Sequence, residues 1–165
     1  MPSFKINSNY LNTNLFKNYL IKKGWKEARA NYFANITLVD NMVGDILSDL
    51  AGAITGSLGM LPSASLSDYD SNGRRRALYE PVHGSAPDIA GQGIANPLGA
   101  ILCVGLVLEY SFDLPGEARL LKQAVRKVLA VGIRTPDIQT GNSRAVSTKD
   151  MGDEVVRALT RLSNG

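Results

Sequence analysis

The chain has one cysteine, one histidine and one tryptophan among 165 residues. The first two shortages each close off a kind of chemistry. Cys103 alone cannot form an internal disulfide or a multi-cysteine zinc site. His83 alone cannot supply half of a two-histidine metal site. No run reaches the roughly 18 uninterrupted apolar residues that a membrane helix needs. The opening Met-Pro-Ser-Phe-Lys has no apolar stretch followed by a small-residue cleavage site, so we expect a cytoplasmic, non-membrane protein. Charged residues make up 20% and hydrophobic ones 44%. Those proportions suit a globular domain and argue against wholesale disorder, a collagen-like repeat or a coiled coil. The length is about one domain's worth, or a little more, and enough to bury a sizeable core.

The formal net charge is +3, and it is unevenly placed. Residues 1–35 carry six Lys/Arg (Lys5, Lys17, Lys22, Lys23, Lys26, Arg29) against one acid, Glu27; the remainder holds twelve bases and fourteen acids. A nucleic-acid or membrane surface would need a basic stripe with aromatic or groove-reading partners. Here the bases are interleaved with Asn and Tyr in no clear repeat, so we expect neither partner. Composition changes near residue 35, which sets the expected division: an N-terminal segment, 1–34, and a body, 35–165.

The body reads as α/β. We expect helices over Asn18–Phe33, Asp45–Ala53, Pro97–Glu109, Gly116–Val131 and Ser147–Leu162, and strands over Ile36–Val39 and from Ala77 to Tyr79. Asn96 and Pro97 suit the start of the third helix. Ser147 with Asp150 three residues on is close to a capping box. Gly56–Leu66 reads as a Gly/Ser/Pro loop, Asp68–Gly73 as a polar turn, and His83–Asn96 as a long glycine-rich connection.

Three groups of residues could carry chemistry. Asp45 and Asp49 stand four apart, on one face of the expected helix. Two carboxylates there repel unless a cation joins them, and magnesium accepts one or two carboxylates plus substrate oxygens and water. Spacing alone favours two solvated helix acids. In the run Glu80–Asn96, small residues would let backbone approach a ligand. His83 could stack on or hydrogen-bond a cofactor ring. Asp88 could accept bonds from both hydroxyls of a ribose while repelling a 2′-phosphate, the logic that separates NAD from NADP. No Gly-x-Gly-x-x-Gly follows a strand. A structural connection is an equal reading, although seventeen irregular residues are uncommon without a function. Gly56–Ser63 could offer amides to an anion, with a tight turn the plainer reading. Arg74, Arg75 and Arg76 read as a solvated loop, Cys103 as core filler, and Tyr79 and Tyr110 as packing residues.

Taken in order, the runs Gly44-Asp-Ile-Leu-Ser-Asp49, Gly56–Ser65, Tyr79–Gly91, Gly93-Ile-Ala-Asn-Pro97 and Gly132–Ile138 resemble the isopropylmalate branch of the β-decarboxylating dehydrogenases. The resemblance covers roughly residues 35–165. It implies a partial isocitrate/isopropylmalate dehydrogenase-like fold, with a mixed sheet flanked by helices. It implies NAD- and Mg²⁺- or Mn²⁺-dependent oxidative decarboxylation of 3-isopropylmalate to 2-oxoisocaproate, a leucine-biosynthesis step. Isocitrate, tartrate or homoisocitrate is the alternative substrate. By resemblance Asp45 and Asp49 become metal ligands. Gly59, Ser63, Glu80, His83, Gly84, Ala86, Asp88, Ala95 and Asn96 become cofactor-loop positions, Glu80 toward the nicotinamide ribose and Asp88 on the adenosine ribose. The resemblance also implies a homodimer with shared sites. Only the C-terminal half of such a protein is matched. The arginine cluster, the tyrosine and the lysine–aspartate pair of the family have no counterpart, so no catalytic residue is assigned. The implied partner is a second copy or a complementing N-terminal half. A non-catalytic remnant that keeps the two half-sites is the alternative. Met42-Val43, where the family has Leu-Phe, is a mild packing change.

Overall fold

The computed structural model describes Lys22 and residues 43–164. The strand expected at Ile36–Val39 and, apart from Lys22, the helix expected at Asn18–Phe33 lie outside the described residues. The chain divides into two compact units, residues 2–50 and residues 51–165.

Residues 43–55 are helical (α1). Its apolar side chains Val43, Ile46, Leu47, Leu50 and Ile54 are all exposed. They recur at helical spacing. Asp45 and Asp49 are exposed as well.

A short 3-10 turn, Leu58–Met60, follows, capped by the Ser57 hydroxyl, which accepts from the Gly59 amide. The chain then extends as β1 (Pro62–Leu66), which pairs antiparallel with β2 (Ala77–Pro81). The expected loop over Gly56–Leu66 is therefore half strand. Its residues, Pro-Ser-Ala-Ser-Leu, include no β-branched or aromatic side chain, so no local preference announces a strand. The pairing itself supplies the extended conformation. The connection between the strands closes as the expected polar turn. The Asp70 carboxylate accepts from the amides of Asn72 and Arg74, both at 2.9 Å, and Gly73 takes φ +70°. Arg75 departs from the solvated reading. Its guanidinium lies 5.0 Å from the centre of the Tyr69 ring and 5.6 Å from that of Tyr110, and donates to the Tyr110 carbonyl at 2.6 Å. The turn is thereby pinned to the end of the next helix.

Three helices complete the second unit: α2 (Leu98–Tyr110), α3 (Pro115–Ala130) and α4 (Thr148–Ser163). The hairpin packs on α2, α2 on α3, and α3 on α4. This layering explains why α2 is apolar on most of its faces while α3 is amphipathic. Ala118, Leu121, Ala124, Val125 and Val128 form the buried stripe of α3. All of these but Ala118 meet Leu98, Met151, Val155, Ile133 and Val146 in a single core. Cys103 is buried in α2, as expected. Tyr79 bonds Ser111 at 2.7 Å, a packing role. Ser147 caps α4 by accepting from the Asp150 amide at 3.1 Å, and its hydroxyl donates to the Asp150 carboxylate at 2.8 Å. Between α3 and α4 the chain forms a second small ladder, β3 (Ile133–Arg134) parallel to β4 (Arg144–Ala145), with a 3-10 turn, Pro136–Ile138, in the connection. These two-residue strands are too short to show any periodicity. The α/β class holds. The described strands are gathered in two two-stranded ladders, one antiparallel and one parallel. No helix among the described residues is long and apolar enough to cross a membrane.

Candidate functional site

Asp45 and Asp49 occupy successive turns of α1, as their spacing required, and both face solvent. The i, i+4 arrangement puts two carboxylates on one face, where they could share one hydrated cation. Among the described residues no cluster of three or more His, Cys, Asp or Glu is gathered for a metal. The pair thus fits an ion that completes its shell with water and substrate oxygens, and does not form a closed protein cage.

In the second unit, the hairpin sets Ser63 opposite Glu80, and the Ser63 hydroxyl donates to the Glu80 carbonyl at 2.9 Å. That bond leaves the exposed Glu80 carboxylate available. Beyond β2 the chain turns outward. His83 is exposed, with Nδ1 at 2.8 Å from the Gly84 carbonyl. A Cβ at Gly84 would meet nothing within 4 Å, so the backbone here is open to a ligand. Ala86 adopts φ +41°, an unusual left-handed conformation for a side-chain-bearing residue. It starts the 3-10 turn Pro87–Ile89, whose first turn carries Asp88. Asp88 is exposed, and its carboxylate makes no hydrogen bond among the described residues; only its carbonyl is taken, by the Gln92 amide at 2.7 Å. A free carboxylate on an exposed turn is the group that a pair of vicinal hydroxyls can bridge.

The far end of the same loop is tied down. Thr148 donates through its amide to the Gly93 carbonyl at 2.8 Å and through its hydroxyl to the Ala95 carbonyl at 2.5 Å. Asn96 is buried; its amide oxygen accepts from the Leu98 amide and its nitrogen donates to the Asp137 carboxylate, both at 3.0 Å. Gly59 lies directly behind it: a Cβ there would come within 2.8 Å of the Asn96 Cβ. So Gly59 and Asn96 are brought together, as are Ser63 and Glu80, while His83, Gly84, Ala86 and Asp88 line the exposed stretch. Burial alone would raise the Asp137 pKa. The hydrogen bond from Asn96, the nearby Ser57 and Thr135 hydroxyls and its own backbone outweigh that and hold the carboxyl below its ordinary value. Sequence reasoning assigned Asp137 no role. The signal was present in the Gly132–Ile138 run, but an aspartate behind a proline reads as a turn residue until its distant partner is known.

A separate apolar hollow of about 420 Å³ lies between α2, α3 and α4, lined by Val104, Leu108, Leu120, Leu121 and Leu159 among others. It shares no residue with the 80–96 loop.

The family model described as isocitrate/isopropylmalate dehydrogenase matches residues 20–155. Curated relatives named 3-isopropylmalate dehydrogenase include those of Paramagnetospirillum magneticum, 55% identical over 78% of this chain and 35% of its own length, and Pseudomonas fluorescens, 48% identical over 96% of this chain and 42% of its own. That of Bordetella bronchiseptica, named 3-isopropylmalate dehydrogenase 1, is 59% identical over 78% and 35%. The crystal structure of a β-decarboxylating dehydrogenase from Thermococcus kodakarensis, in its apo form, superposes with a TM-score of 0.62 at 44% identity, covering 75% of this chain and 33% of that one. An isocitrate dehydrogenase from Methylococcus capsulatus gives 0.59 at 40%, covering 70% and 32%. The chain thus spans about a third to two-fifths of the length of these relatives. With a family match across most of its residues and a shared fold at this level of identity, the chain belongs to the isocitrate/isopropylmalate dehydrogenase family.

Proposed function

We propose that this chain is the dinucleotide- and metal-binding portion of a 3-isopropylmalate dehydrogenase, an oxidoreductase of leucine biosynthesis. The exposed 83–88 stretch carries the reading: open backbone at Gly84, a left-handed bend at Ala86 and an unspent carboxylate at Asp88. The curated relatives' names support the substrate. Glu80 and Asp88 would accept hydrogen bonds from ribose hydroxyls. Gly59, Ser63, His83, Gly84, Ala86, Ala95 and Asn96 would form the surrounding surface. Asp88 next to a 2′-phosphate would be two anions in contact, which favours NAD over NADP. Asp45 and Asp49 would hold Mg²⁺ or Mn²⁺. When bound, the dinucleotide accepts hydride and the divalent ion stabilises developing negative charge on substrate oxygen. The chain's own residues bind and orient; no general acid or base is assigned among them.

The remaining groups would come from outside the chain. Exposed Val43, Ile46, Leu47, Leu50 and Ile54 on α1 support association with a second copy or with a complementing N-terminal half. The alternative is a binding-competent but catalytically silent remnant. Following NADH formation from 3-isopropylmalate, NAD⁺ and Mg²⁺ separates them, using the chain alone and the chain mixed with the N-terminal two-thirds of a relative. Turnover on mixing supports the proposal. NAD⁺ binding without turnover in either sample leaves the remnant. Absence of NAD⁺ binding in both overturns the dinucleotide reading.

A further inference from the structure

Asn96 sits where the exposed loop meets the start of α2, and both ends of its amide are spent. The oxygen takes the Leu98 N–H at 3.0 Å and the nitrogen gives a hydrogen to Asp137 at 3.0 Å. A carboxylate offers no N–H, and a backbone amide offers no acceptor. The amide can therefore sit only one way round in this slot. Ser57, whose oxygen accepts from Gly59 at 3.0 Å, is a further polar neighbour of the same Asp137 carboxylate. Three segments distant in sequence (57–59, 93–98 and 135–137) thus meet around the Asn96 side chain. Asp137 itself is exposed, but behind the Asn96 amide there is little slack. Thr135 is fully buried, Gly59 has no room for a Cβ against Asn96, and a Cβ on Gly99 would come within 2.9 Å of the Gly59 carbonyl.

We propose that Asp137 is a positioning residue for the dinucleotide loop: by fixing the Asn96 amide, it sets the backbone of residues 93–97 before a ligand arrives. This rests on the dinucleotide reading above, since it says how that surface is held. Asp137 acts through Asn96 and is not itself a catalytic residue. A charge-assisted bond of this kind is stronger than a neutral one, and losing its acceptor leaves a buried donor unsatisfied.

The test uses the full chain with Asp137→Ala, Asp137→Asn and Asn96→Ala. Amide hydrogen exchange of residues 93–98 is followed without ligand, and NAD⁺ affinity by calorimetry. We expect Asp137→Ala to speed exchange at Leu98 and its neighbours by about tenfold or more and to weaken NAD⁺ by a similar factor. Asp137→Asn keeps one acceptor oxygen and lies between it and the wild type, a rescue that a purely bulk role would not produce. Asn96→Ala added to Asp137→Ala costs little more than either alone. Exchange in α3 stays unchanged. Unaltered exchange at 93–98 in Asp137→Ala overturns the proposal. So does Asp137→Asn behaving like the alanine variant, or independent multiplication of the Asn96 and Asp137 effects. Failure of the wild-type chain to bind NAD⁺ counts against the dinucleotide reading alone, and the exchange order then decides the role of Asp137.

Discussion

The two ends of one glycine-rich segment are built on opposite principles. From His83 to Gly93 the chain is exposed, and added methyl groups at Gly84, Gly91 or Gly93 would meet nothing. Where it reaches Asn96, it enters a seam in which Gly59 and Gly99 have no room for a methyl and a threonine hydroxyl, an asparagine amide and a carboxylate are tied to partners. Glycine serves access at one end and close packing at the other. The contrast suits a binding surface: a ligand-facing stretch can stay open only if its root is held by a rigid scaffold.

Removing the scaffold under the seam gives the largest effect. Met151 lies in the first turn of α4 and is fully buried, in the same core as the α3 stripe and Leu98. Met151→Ala is expected to cost about 2–5 kcal/mol by cavity formation, read by urea denaturation. A loss below about 1 kcal/mol would mean that the site collapses freely, and that the seam does not depend on this core.

The next test sets the two kinds of glycine against each other. Gly99→Ala would push a methyl to 2.9 Å from the Gly59 carbonyl and 3.3 Å from the Leu61 carbonyl, both backbone atoms that cannot rotate aside. It should destabilise by about 1–3 kcal/mol. Gly84→Ala, into open space without a positive φ, should change stability by no more than about 1 kcal/mol, gaining slightly from a less free unfolded chain. Its expected signature is weaker NAD⁺ binding instead. Equal stability losses in the two variants would erase the distinction between seam and loop.

How much of this was legible in the residues differs along the same line. The exposed loop was: its small residues, Asp88 and the absence of any periodicity all lie within one short run. The helices were legible too, because Leu121, Val125 and Val128 repeat at helical spacing and Ser147 carries its partner Asp150 three residues on. The seam was not. Asp137 and Asn96 are 41 residues apart, and no local pattern tells an aspartate which amide it will meet. β1 escaped for a related reason, since Pro62–Leu66 becomes a strand only by pairing with Ala77–Pro81. Local chemistry is written locally, whereas a tertiary hydrogen bond is a property of two segments at once.

The smallest effect sharpens the comparison through acid. Asp137 titrates below its ordinary value in the folded chain, its hydrogen bonds outweighing the opposing effect of burial. A carboxyl depressed on folding binds protons more readily when unfolded, so its contribution to stability is present above the unfolded value, 3.8, and is lost as pH falls through the lower folded value. Wild type and Asp137→Asn should therefore differ in melting temperature at neutral pH. Their curves should converge only as pH drops below the folded value, which lies under 3.8, where the wild-type side chain also becomes uncharged. The group is partly exposed, so the gap is modest and shrinks with salt. Thermal melts across pH 7 to about 3 measure it. A gap that stays constant into acid would mean that the seam is held by the shape of the Asp137 side chain and not by its charge. The carboxylate would then be replaceable by any acceptor of the same size, and the difference between seam and loop would come down to packing alone.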